Sequence, residues 1–210
     1  MSLMSRIATG AATMAAALTL MAAPAAAQSM AASDLRTALN TGLAEHVWLA
    51  AAATEAALGG RSGEFQNAAA ALDANSVALS QAIGSVYGEG AGTAFLELWR
   101  KHITFFVDYT TGVAKKNRAM QDKAVKDLLG YADDFGAFLS SANPNLPKDV
   151  VAGLVRDHAV GLKAVVDAQA KGDWATAYSK LHEAAAHMRM IADPLAGAIA
   201  KQFPEKYASR

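Results

Sequence analysis

Three of the chain's five histidines are evenly spaced: the interval from His46 to His102 equals the interval from His102 to His158. A period of about 56 residues implies a repeated supersecondary unit, and the residues around the histidines agree with one. Seven residues earlier stand Leu39, Phe95 and Val151; three earlier stand Leu43, Trp99 and Val155; seven later stand Ala53, Tyr109 and Val165. These offsets trace one face of a helix, so each histidine is expected on a buried stripe. Turn signals recur at the same period, near Gly59, Lys115 and Lys171. Leu72 and Leu128 follow His46 and His102 at one common interval, whereas Leu181 follows His158 about three residues sooner, so the third turn should be shorter by that amount.

The fold class this implies is all-α, a helical bundle of about six helices built from three helical hairpins with an approximately 56-residue repeat. Alanine, the strongest helix former, is abundant, and Val, Ile and Thr never form long alternating runs. The first helix is expected from Asp34 to about Leu58, capped by Ser33 or Asp34 and ended by Gly59-Gly60. The second runs from near Gly63 to Tyr87, and the third from near Ala91 to the Lys115-Lys116-Asn117 turn, with Phe95, Leu98, Trp99, His102, Phe106 and Tyr109 inward. The fourth begins at Arg118, faces Ala124, Leu128, Tyr131, Phe135 and Phe138 inward, and stops before Asn143-Pro144. The fifth starts at Pro147 or Lys148 and reaches Lys171-Gly172. Asp173 should cap the sixth, whose stripe is read as Trp174, Tyr178, Leu181, Met188 and Ile191. Pro194 is expected to kink or stop that helix, leaving Leu195 to Phe203 as a further short one.

Residues 1–27 read as a secretory signal peptide: Arg6, an apolar run from Ile7 to Ala23, and Ala25-Ala26-Ala27 ahead of Gln28. On that reading residues 28–210 are one all-helical domain, exported to the bacterial periplasm or secreted, with no membrane span after signal cleavage. Removing Arg6 from 19 basic residues against 19 acidic ones leaves a formal charge of −1, and no basic patch points to nucleic acid. The absence of cysteine excludes disulfides, thiolate metal sites and a cysteine nucleophile. No nucleophile elbow, H-E-x-x-H, phosphate loop, dinucleotide fingerprint or paired E-x-x-H set occurs, so the chain is read as a non-enzyme.

The histidines carry the chemistry that remains. Neutral imidazole is the commonest biological metal ligand. If the hairpins pack around a common axis, His46, His102 and His158 would converge into a nitrogen site for copper or zinc. His187 is the next candidate ligand, four residues from Glu183 on one helical face within His182-Glu183-Ala184-Ala185-Ala186-His187-Met188-Arg189-Met190, where Met188 and Met190 would add soft donors. Glu45 and Asp157 adjoin His46 and His158 and point about 100° away, as partners for a ring on another helix or as solvated residues. The leading expectation is a periplasmic metal-binding bundle for sequestration or delivery. One alternative is an interaction or scaffold module, with an envelope protein as partner and the histidines packed in the core. Another is haem, walled by the aromatics of the middle hairpin and held by two histidines.

The runs AEHVWLAAAA, NSVALSQAIGSVYG, FLELWRKHITFFVDYT and AAHM resemble a helical domain of secreted bacterial proteins, some of which carry a copper amine oxidase-like label that belongs to an appended domain. The resemblance spans most of residues 34–200 and is sharpest in L-W-x-x-H-I-x-x-F-V-x-Y, from Leu98 to Tyr109. It implies an exported helical module and transfers no activity.

Overall fold

A computed structural model describes residues 32–207; the signal-peptide reading of residues 1–27 lies outside them. The described residues form six helices and no strand: α1 (Ala32–Leu58), α2 (Ser62–Tyr87), α3 (Glu89–Ala114), α4 (Arg118–Ala142), α5 (Lys148–Gln169) and α6 (Trp174–Gln202). Each packs on the next, α6 closes on α1, and α1 also touches α3 and α5. The result is a closed ring around one core, and none of its helices is long and apolar enough to cross a membrane.

The period of the sequence is visible in the backbone. Gly60, Lys116 and Gly172, at φ 68°, 52° and 69°, each take the left-handed conformation just past the first helix of a hairpin. The amides of Arg61, Asn117 and Asp173 reach back to the carbonyls of Ala56, Gly112 and Ala168, a Schellman closure made three times. Asn117 and Asp173 then cap the following helices by accepting from the amides of Met120 and Thr176. In the second helix of each hairpin Leu72 and Leu128, Leu79 and Phe135, and Ile83 and Leu139 are buried at the same period. Leu181, Met188 and Ala192 match them three positions early. The expected shorter third turn is corrected, since Gly172 and the Asp173 cap keep the period and the missing residues amount to about one turn at the start of α6.

Hairpins join through close crossings. A Cβ on Gly92 would stand 2.8 Å from the Ser80 carbonyl oxygen, and one on Gly136 would stand 2.6 Å from that of Lys148. Gly136 lies one period after Ser80 and Lys148 one period after Gly92, so the two crossings are equivalent. At the third joint Arg36, one period before Gly92, pairs with Asp193 at 3.5 Å, and Asn40 donates to the same carboxylate at 2.8 Å.

Three further local expectations are corrected. Ser33 and Asp34 lie inside α1, which already includes Ala32, the first described residue. The sixth helix passes through Pro194 without a break, so Leu195 to Phe203 is no separate helix. Pro194 is exposed, and the carbonyl left without its helical amide belongs to Met190, itself exposed, so the lost hydrogen bond lies on the solvent side of the helix. Trp174 and Tyr178 face outward, 48% and 56% exposed, because the buried stripe runs through Ala177, Leu181, Ala184 and Met188.

Two substitutions test this frame by denaturant unfolding. Gly136→Ala should cost about 1–3 kcal/mol, because its Cβ meets fixed backbone, whereas Gly130→Ala, with open space around it, should be neutral or stabilising. Lys116→Gly should add about 1 kcal/mol by relieving the one left-handed non-glycine turn among the described residues.

Candidate metal centre

The shared register of α1, α3 and α5 brings His46, His102 and His158 to the middle of the ring. His46 Nε2 stands 3.3 Å from His102 Nε2. The ring centroids of His46 lie 5.2 Å from His102 and 6.1 Å from His158. All three are buried and line one cavity of about 210 Å³ whose walls are otherwise almost entirely apolar. Trp99 presents an edge to both His46 and His102, with centroids at 4.9 and 4.6 Å, and Tyr131 lies against His102 at 4.9 Å. These aromatics fix the imidazole planes, a role the sequence pattern assigned only to core packing.

Burial keeps the three rings neutral. His46 is held well below the ordinary histidine value, by loss of hydration first and then by the other two histidines. Desolvation, reinforced by His158, pushes His102 down to about 3, partly offset by a backbone interaction with Trp99. His158 is pushed down to about 4 by desolvation and by nearby His187. Neutral imidazole is the form that ligates metals. In the close pair, one Nε2–H donates to the other Nε2, so the rings hold opposite tautomers. The Nδ1 atoms of all three histidines, and Nε1 of Trp99, are buried without a hydrogen-bond partner among the described residues. An unpaired buried nitrogen costs about 1–3 kcal/mol, so the site is assembled against a standing penalty.

The other candidates are dispersed. His187 is half-buried, and its Nε2 donates to the Leu154 carbonyl at 3.0 Å, leaving Nδ1 as its remaining nitrogen. Glu183 is exposed and pairs with Lys180 at 2.7 Å, so it does not act with His187. Met188 lines the cavity, whereas Met190 is exposed. Glu45 is exposed and accepts from Asn75, and Asp157 is exposed as well, so neither braces an imidazole. As the side chains stand, no set of three or more His, Asp or Glu among the described residues is arranged to hold a metal ion. The His46–His102 pair meets the distance for a shared ion, and the His158 ring stands farther from His46 than the His102 ring does. Comparison with known proteins finds no matching family model, no similar curated protein and no similar solved structure.

The depressed titrations give a signed expectation for the metal-free protein. As pH falls through about 6.5 the unfolded chain protonates these histidines, while folded His158 and His102 resist until about 4 and about 3. Stability is therefore fully present above about pH 6.5 and lost below it, by up to about 1.4 kcal/mol per pH unit for each histidine. Urea unfolding at pH 7.5 and pH 5 should show this slope, and His102→Leu should reduce it by about one proton.

Proposed function

We propose that this protein is a metal-binding helical bundle that takes one copper or zinc ion at His46, His102 and His158 and serves, if exported as residues 1–27 suggest, to sequester or deliver that ion. The observation that carries the reading is the 3.3 Å separation of the two Nε2 atoms. Two nitrogens bound at about 2.0–2.1 Å to one tetrahedral ion lie about 3.3–3.4 Å apart. Binding would require only a tautomer shift in one ring, since both are already neutral, and an inward movement of His158. A fourth position would remain open to water or to Met188, whose thioether suits Cu(I). Because no carboxylate braces the Nδ1 atoms, and only His102 has a backbone interaction, with Trp99, affinity should fall about 10–100-fold below that of a fully braced site.

The haem alternative loses support from the same distance. Two axial nitrogens on one iron need about 4 Å between them with a clear plane for the macrocycle, whereas these rings are already in contact. The scaffold alternative predicts that the histidines only pack.

Metal analysis of the purified protein, with melting in the presence of Zn(II) or Cu(I), tests the proposal. One equivalent should bind, and stability should rise by about 2.7 kcal/mol at a hundredfold excess over Kd. His46→Ala and His102→Ala should abolish that gain, with His187→Ala retaining most of it. No bound metal and an unchanged melting temperature would sink the reading and favour the scaffold.

A further inference from the structure

The cavity at the histidines is longer than a metal site requires. Along α1 its wall extends from Leu39 to Ala57, and along α3 from Phe95 to Lys115. Eighteen to twenty residues of helix rise about 27–30 Å, so the space is a narrow channel beside these helices. Its origin lies in unequal bulk among the repeats. Where the second hairpin places Phe106 and Tyr109, and the third Leu162 and Val165, the first has Ala50 and Ala53. The first half of α2, which should cover the gap, has Leu72 as its one buried residue before Asp73. The channel reaches the surface where Phe65 is half-buried, Val107 is 42% exposed and Lys115 is exposed. Lys115 makes no ion pair with another described residue, which leaves a cation at the rim of an apolar bore.

We propose that this channel binds a medium-chain fatty acid, its hydrocarbon chain lying along Ala50, Ala53 and Phe106 and its carboxylate paired with Lys115. Shape, lining and charge each argue for that class. The lining is too apolar for a sugar or nucleotide, and its length along the helices suits an extended chain. A cavity of about 150 Å³ accommodates the six carbons of benzene, so about 210 Å³ over the whole channel caps the buried part of the guest at about eight or nine carbons, with the carboxylate at the rim. Lys115 lies about 20 Å of helical rise beyond His102, so such a chain would end short of the imidazoles. The proposal therefore stands without a bound metal.

Decanoate and decanol, titrated into the metal-free full chain after removal of co-purified lipid, distinguish the parts of the proposal, with Trp99 fluorescence and calorimetry as readouts. Decanoate should bind with one-to-one stoichiometry. Ala50→Phe should abolish binding while preserving helicity and cooperative melting, and Ala57→Leu, a smaller change nearer the rim, should weaken it at least tenfold. Lys115→Glu should weaken decanoate at least tenfold and leave decanol unchanged. Failure of the wild-type chain to bind decanoate, or undiminished binding by folded Ala50→Phe or Ala57→Leu, would overturn the channel site. Equal effects of Lys115→Glu on the acid and the alcohol would overturn the carboxylate assignment.

Discussion

Burial of three neutral imidazoles at the middle of a closed helical ring is the constraint on which the rest of this structure depends. Each imidazole enters the core with Nδ1 unpaired, a cost that packing elsewhere must offset. The offset comes from aromatic contact and from closure. Trp99 and Tyr131 pack on the His46 and His102 rings, and six helices seal around all three with α6 returning to α1. A chain that needed only a stable core would gain by placing leucine at these positions, as the same stripe does a turn away at Leu43 and Leu162. The presence of histidine at all three equivalent positions is the physical reason to read a ligand into the site.

The repeat supplies the geometry that makes convergence unavoidable. Three left-handed turn residues, each one period from the next, with three Schellman closures, set the same exit angle for each hairpin. Two glycine crossings and the Arg36–Asp193 and Asn40–Asp193 contacts join the hairpins into a ring. Once those turns and joints are fixed, residues in equivalent register must approach one another. Thr54 and Gln169 meet farther along the same helices, three residues off equivalent register, where Thr54 donates to the Gln169 side chain at 2.8 Å across the same core.

Much of this was legible because it depends on period. The six helices, the three hairpins and the inward stripe around each histidine follow from spacing alone, whereas the three-residue offset of Leu181 reads as a shorter turn and belongs to the start of α6. What escaped depends on small residues and on solvent. Alanine marks no face, so the eye follows Trp174 and Tyr178, although the buried stripe of α6 runs through Ala177 and Ala184. Pro194 reads as a breaker, and only the exposure of the surrounding turn shows why the helix tolerates it. The partners of Glu45 and His187 belong to tertiary arrangement and left no trace in spacing, whereas Lys180, the partner of Glu183, stands three residues earlier on the same helix.

Symmetry and its breach serve different ends in this fold. The equivalent positions carry histidine, and equivalence is what brings three identical side chains to one place. The positions one and two turns beyond differ in volume from Ala50 and Ala53 to Phe106 and Tyr109, and a ring of matched helices cannot close evenly over unmatched side chains. The cavity accordingly runs through the middle of the ring, with Ala50 and Ala53 of the first hairpin facing Phe106 of the second across it and residues of all three hairpins in its wall. Had the first hairpin carried the bulk of the second, the histidines would still meet, but in a filled core with no path to the surface. The alanines of α1 therefore set the open space at the middle of the ring, where the three histidines are buried polar side chains.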